Sequence, residues 1–180
     1  MAIQVVKPTR NEVLRGVARY DDLDRVETGL PDMTLDDCRR TFMNVLGFRQ
    51  PQQAEEYSPF GDAVKAKIGH LKAGFGVAFV ECLPGCGTLM HNHDTNESFM
   101  VVDGKWHFEW EGADGVERVT LGPRDFMSFP LGVQRRFECA ESPAGKPVGT
   151  LLAIIAGDAP AAEYSPEATR RLADAGLIPV

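Results

Sequence analysis

The sequence predicts an all-β domain, an antiparallel sheet that closes on itself or folds into a sandwich, with short helices outside it. Three observations carry this. Short strand-like runs recur from Gly76 to Ile155. Turn residues separate them, Asp103-Gly104 and Ala113-Asp114-Gly115 being the clearest. Between those turns Trp106, Phe108 and Trp110 alternate with His107, the period-two signature of a strand with one apolar face.

The elements follow in order. Residues 1–62 read as an N-terminal extension of helical and extended segments. Thr9-x-x-Glu12 resembles a capping box and starts a short helix through Val13, Leu14 and Val17. A second helix is predicted after Thr34, because Leu35, Cys38, Phe42 and Leu46 recur at spacings of three and four and Gly47 suits the stop. Gln50 to Glu56 reads as an exposed connection. Residues 63–157 hold the β-domain, with strands expected over Gly76–Leu83, Thr88–His93, Glu97–Val102, Lys105–Trp110, Val116–Leu121, Phe126–Phe129, Gln134–Cys139 and Val148–Ile155. Asp103-Gly104 predicts a two-residue hairpin. Residues 158–180 are a linker and a helix, with Ser165 as cap, Pro166 at its first position and Gly176 as its stop.

Length and charge narrow the function. The chain has 180 residues, 43% of them hydrophobic and 25% charged, enough apolar mass for one cored domain. A net charge of −7 with no basic run argues against nucleic acid or an anionic membrane as the main partner. The longest apolar stretch, Val148 to Ala156, is too short to span a bilayer. The N-terminal residues lack the charged and apolar regions of a secretory signal, so a cytoplasmic protein with reduced cysteines is expected.

The chemistry centres on His91-Asn92-His93-Asp94-Thr95-Asn96-Glu97. On a strand, His91 and His93 project from one face, with Cα atoms about 6.5 Å apart, so two imidazoles can converge on one ion at ~2.1 Å. A bend at residues 94–96 brings the Glu97 carboxylate to the same point. Two imidazoles and a carboxylate suit Fe(II), Mn(II), Zn(II), Ni(II) or Cu(II), and with open positions form the facial triad of non-haem iron enzymes. Two surface histidines on an edge strand are the bland alternative.

The flanks favour the metal. Gly85, His91, His93, Glu97 and Gly104 reproduce the spacing G-x5-H-x-H-x3-E-x6-G, and the chain thereby resembles the cupin superfamily. The resemblance implies an antiparallel jelly-roll β-barrel, often dimeric, with His91, His93 and Glu97 as metal ligands in its mouth. A second cupin motif, G-x5-P-x-G-x2-H-x3-N, is only partly met. Pro130 and Gly132 are in place, but Arg124, Arg135 and Cys139 stand where glycine, the fourth ligand histidine and asparagine would be.

Arg135 is therefore the informative residue. Strand parity puts it on one face with Phe137 and Cys139, the inward face if the cupin alignment holds. A guanidinium cannot ligate, and beside a divalent cation it costs on the order of several kcal/mol unless an anion offsets it. Either Arg135 clamps the negative group of a substrate, or it pairs with Glu97 and fills the mouth; a third option turns it outward and lets Gln134 supply an oxygen ligand.

Other groups carry less. Cys82-x3-Cys86 suggests a zinc site with the histidines, but it would break the barrel register, so core or loop thiols are expected. Cys139 can be a soft ligand, a redox-sensitive thiol or a small core residue. His107 reads as a surface or interface histidine, and His70 has no readable role. Met90, Phe99, Val101, Phe126, Met127 and Phe129 are expected as barrel lining or core. The leading functional expectation is a metal-dependent oxidoreductase of dioxygenase type, with Fe(II) favoured and Mn, Zn, Ni or Cu as alternatives, acting on a small anionic organic molecule as a homodimer. A non-catalytic small-molecule binder or sensor, a metal-dependent isomerase, decarboxylase or lyase, and a storage role are the alternatives.

Overall fold

A computed structural model describes residues 3–47, 65–157 and 159–179. Among the described residues ten strands form two five-stranded antiparallel sheets packed face to face, the sandwich that the spacing of short strands predicts and the jelly roll that the cupin resemblance implies. The first sheet runs β1 (Thr41–Leu46), β2 (Phe75–Cys82), β9 (Gly149–Ala156), β4 (Glu97–Asp103) and β7 (Phe126–Phe129). The second runs β10 (Ala162–Tyr164), β3 (His91–His93), β8 (Arg135–Glu141), β5 (Lys105–Gly112) and β6 (Gly115–Leu121). Between them lies the main core, in which Phe99, Val101, Trp106, Phe108, Phe137, Leu151 and Ile155 are almost fully buried. Alternate residues of each strand supply it, as a two-layer sheet requires. No helix among the described residues is long and apolar enough to cross a membrane.

The first helix is confirmed but shorter than predicted. In α1 (Arg10–Leu14) the Thr9 hydroxyl accepts from the Glu12 amide at 3.3 Å, and the Glu12 carboxylate accepts from the Thr9 amide at 2.7 Å. The C-terminal helix α2 (Pro166–Asp174) starts at Ser165, whose hydroxyl accepts from the Ala168 amide, and Gly176 follows it at φ +70°.

Two expectations are overturned. The helix predicted from Leu35 to Leu46 is instead a 3-10 turn over Asp36–Cys38 followed by strand β1. Of its apolar residues Cys38 and Phe42 are buried, by two different elements, and Leu35 and Leu46 are half-buried. Cys38 joins a small cluster with Leu89, Ala168 and Leu172, whereas Phe42 enters the main core. Thr41 to Leu46 gains more from pairing along β2 than from a helix, and tertiary pairing overrides the local period. Gly47 still serves as a stop: at φ +82°, an added Cβ would lie 2.6 Å from the Phe75 carbonyl oxygen.

Asp103-Gly104 is the second correction. It joins β4 in one sheet to β5 in the other, so it is a corner between layers and not a hairpin. Gly104, at φ +80°, lets the chain turn where a Cβ would press on the Glu141 carbonyl. The true hairpin is the next one, where β5 and β6 close with Gly112 opposite Gly115. The connection expected over residues 50–56 lies outside the described residues.

Strands β1 and β10 fall outside residues 63–157. One extends the first sheet and the other the second, so the terminal segments are built into the sandwich. This matters for the site, because both carry polar groups to it.

Candidate metal centre

His91 and His93 stand on β3, and Glu97 opens β4 across the turn at residues 94–96. The structure brings the three together: their ligating atoms all lie within 4.8 Å of one another. The imidazole rings meet edge to face at 5.1 Å, and His93 Nε2 lies 3.4 Å from Glu97 Oε2. Two ligands at right angles on one ion at ~2.1 Å would be about 3 Å apart, so this spacing needs little adjustment.

The backbone fixes both imidazoles. His91 Nδ1 lies 2.8 Å from the Leu89 carbonyl, and His93 Nδ1 lies 2.8 Å from the Ala161 carbonyl. A carbonyl oxygen only accepts, so each Nδ1 carries a proton, which leaves Nε2 as the nitrogen that can ligate. Burial, with the nearby charges of His93 and Arg135, pushes the His91 pKa down to about 3, so this ring is neutral at pH 7. His93 Nε2 is buried and has no hydrogen-bond partner. That nitrogen and the Glu97 carboxylate face each other at 3.4 Å, an arrangement satisfied by a cation bound between them or by a proton on Nε2. The donor set fits a divalent transition metal.

Arg135, on β8, pairs with His91 in register and is 1% exposed. Its Nη2 and Nε donate to Glu97 Oε2 at 2.9 and 3.2 Å, its Nη1 donates to the Val133 carbonyl, and its guanidinium lies 6.0 Å from the Phe129 ring centre. Burial opposes ionisation of Glu97, but the attraction of His93 and Arg135 outweighs it and holds the carboxyl well below its usual range. Of the arrangements open to Arg135, the structure adopts the pairing with Glu97. Gln134 immediately precedes β8 and does not line the cavity on the triad, although its Oε1 is buried without a hydrogen-bond partner.

A cavity opens on the triad. Its free volume of about 30 Å³ is room for a few water-sized groups. Phe42, Val80, Phe99, Phe137 and Ala153 form its apolar wall, and Asp32, Arg40, Thr88 and Tyr164 give it a second polar end. Asp32 Oδ1 accepts from Arg40 Nη2 at 2.7 Å and from the Tyr164 hydroxyl at 2.9 Å, and Asp32 Oδ2 accepts from the Leu89 amide at 3.3 Å. No sequence signal singled out this trio, because residues 132 positions apart meet in one hydrogen bond.

The remaining candidates fall elsewhere. Cys38, Cys82, Cys86 and Cys139 are free buried thiols, and burial raises the pKa of each, so none offers a ready thiolate. Cys139 keeps the parity of Arg135 but is 0% exposed and does not line the cavity; its sulfur would lie 2.9 Å from a Cβ at Gly149. His107 is half-buried and bonds to Thr120, and His70 is exposed. Phe99, Val101 and Phe129 are core as expected; Met90 and Met127 are half-buried. Phe126 is a correction: it is 57% exposed, because its place in the edge strand β7 turns it away from the core.

No protein-family profile matches the sequence, and no curated protein does. Solved structures do. A sugar phosphate isomerase of the cupin superfamily from Silicibacter pomeroyi superposes with a TM-score of 0.54 at 21% identity, over 82% of this chain and 80% of that one. A cupin-2 domain protein from Rhodospirillum rubrum gives 0.54 at 14% identity, over 88% and 86%. An oxalate decarboxylase from Lactobacillus farciminis gives 0.53 at 13% identity, over 86% of this chain and 38% of that one. This chain has the cupin fold and carries the complete first cupin motif on it.

Proposed function

We propose that this chain is a metal-dependent cupin enzyme acting on a small anionic organic molecule, with His91, His93 and Glu97 as the ligands. The observation that carries the reading is His93 Nε2: buried, unpartnered, and facing a buried carboxylate at 3.4 Å. Fe(II) is the favoured metal, with Mn, Zn, Ni and Cu compatible with the same donors. A bound divalent ion would supply Lewis acidity and a template for a chelating substrate.

The residues of the chain do the rest. The Leu89 and Ala161 carbonyls hold the two imidazoles in the ligating tautomer. Arg135 holds Glu97 in place, and when a cation engages that carboxylate the guanidinium is left short of negative charge. An anionic substrate restores it, which is why we assign Arg135 to substrate binding as well as to Glu97. The apolar wall excludes water from the bound molecule. That an isomerase of sugar phosphates and a decarboxylase of oxalate share the fold supports a small anion as substrate.

Within this class we favour an oxygenase of the dioxygenase type, because three protein ligands leave positions for both substrate and O2, and Arg135 replaces the fourth ligand. The test is metal analysis of protein purified without chelator, then oxygen consumption with Fe(II) added anaerobically over 2-oxo acids, β-diketones and phenolic acids. One metal per chain and substrate-dependent oxygen uptake are expected. Product without oxygen uptake moves the assignment to an isomerase, decarboxylase or lyase, and absence of bound metal overturns the reading. A non-catalytic binder or sensor is the second reading, favoured by the Arg135–Glu97 pair closing the site; ligand binding without turnover would establish it. We further propose a cytoplasmic homodimer with neither nucleic acid nor membrane as partner.

A further inference from the structure

We infer that residues 3–17 form a docking arm for a second copy of this chain, the arm of each copy lying along the free edge of β6 in the other. This rests on the homodimer proposed above and supplies its interface.

The arm is apolar and its own chain leaves it uncovered. Every residue from Ile3 to Val17 is exposed. Ile3, Val5, Val6, Val13, Leu14 and Val17 are between 43% and 93% exposed, and α1, which lies within the arm, buries none of its residues. Isolated helices are marginal in water below about 12–15 residues, so a helix as short as α1 needs a packed face as well as its capping box. The body of the chain takes hold only at Tyr20, whose hydroxyl donates to Glu81 and whose ring meets Phe79 edge to face at 5.0 Å. Ahead of α1, Ile3-Gln4-Val5-Val6-Lys7 is rich in β-branched residues, which suit a strand, and Pro8 lacks the amide to continue one.

Edge length and charge select the surface. β6 pairs with β5 on one side and, among the described residues, with no strand on the other, which leaves a row of amide and carbonyl groups able to receive an added strand. The free edges β7 and β10 are shorter, at four and three residues, and β1 is already met by Val26 and Ile68. β6 has seven residues, and its Val116 is 63% exposed. Glu111, Asp114 and Glu117, all exposed, crowd its hairpin end. The arm carries Lys7, Arg10 and Arg15 against Glu12, a net +2 within a chain of net −7, so the basic arm complements an acidic body. That body would be repelled by an anionic membrane, which favours a second copy as the occupant. Arm and β6 edge exchanged about a two-fold axis close the assembly and approach the roughly 20–30 residues a side of a stable interface.

The experiment uses the full chain. Size exclusion with light scattering is expected to give twice the 19.7 kDa chain mass, with a dimer that loosens as salt is raised. Val5→Asp combined with Val6→Asp, and separately Val116→Asp, are each expected to raise the dimer Kd at least about tenfold. All three side chains are exposed in the single chain, so circular dichroism and metal content should stay as in wild type. A photo-reactive benzoylphenylalanine in place of Val6, in a mixture of isotope-labelled and unlabelled chains, should cross-link to residues 115–121 of the other copy. A monomer at every concentration overturns this inference together with the homodimer. A dimer that the variants leave unchanged, or cross-links that fall within one chain or on another edge, overturns the inference while the homodimer stands. Capture of the wild-type chain by phosphatidylserine vesicles, lost in the Val5→Asp, Val6→Asp variant, would make a membrane the occupant and overturn it as well.

Discussion

Arg135 Nη2 lies 2.9 Å from Glu97 Oε2, and both side chains are almost wholly buried. Removing one partner of such a pair leaves the other charged and desolvated, which typically costs about 3–5 kcal/mol. Arg135→Leu is therefore expected to lose stability on that order in metal-free protein. A bound divalent cation would take over the neutralisation of Glu97, so the loss should shrink when Zn(II) is present. Urea denaturation of wild type and variant, each with and without Zn(II), checks this. Equal losses in both conditions would show that the pair is not coupled to the metal.

The orientation of His93 depends on a residue that ligates nothing. Its Nδ1 bonds to the Ala161 carbonyl, and Asp94 Oδ1 in turn accepts from the Ala161 amide at 2.8 Å. Asp94→Ala releases the Ala161 amide, one bond of the residue whose carbonyl holds His93, and is expected to weaken metal binding about tenfold, the usual scale for losing an outer support. His93→Ala should abolish stoichiometric binding altogether. Competition titration against a chromophoric chelator separates the two, and an Asp94→Ala affinity equal to wild type would show that Ala161 is held without it.

The sequence makes one part of the site legible and hides the other for a physical reason. His91, His93 and Glu97 belong to one strand-turn-strand segment, so their spacing encodes their geometry directly. Arg135 was legible through its place in the second motif, and strand parity gave its inward direction. Asp32, Arg40 and Tyr164 come from the two terminal segments and meet only because β1 and β10 complete the sheets. Nothing local in Pro31-Asp32-Met33 or Ala162-Glu163-Tyr164 announces a cavity. The same limit explains the misread helix, where the competing strand partner β2 lies more than thirty residues downstream.

Acid should expose the role of Asp32. Burial opposes its ionisation, but the charge and hydrogen bonding of Arg40, with hydrogen bonds from Tyr164 and the Leu89 amide, hold its carboxyl below the usual value near 4. A folded-state value below the unfolded one stabilises the fold at pH above about 4. That contribution is lost as pH falls from there through the folded value. Asp32→Asn removes the titration, so its unfolding midpoint should be lower than wild type at pH 7 and converge toward it in acid. Midpoints measured from neutral pH down to about pH 3 test this, and parallel curves would contradict it.

Arg124 occupies the position where the second cupin motif has glycine, and it adopts φ +76°, the one non-glycine residue with positive φ among the described residues. The turn demands it. Gly122 and Asp125 close on each other, with the Asp125 amide donating to the Gly122 carbonyl and the Gly122 amide to the Asp125 carboxylate, while the Arg124 amide donates to the Val101 carbonyl at 2.8 Å. An L-residue in this region costs roughly 1–2 kcal/mol, whereas glycine enters it freely. The Arg124 side chain is exposed, so little packing is lost with it. Glycine's greater freedom in the unfolded chain offsets part of the gain, by roughly 0.5–1 kcal/mol. Arg124→Gly should therefore stabilise the protein by about 0.5–1 kcal/mol, with metal content unchanged. Denaturant midpoints at constant slope measure it, and a loss of stability would mean that the Arg124 side chain makes a contact worth more than the strain.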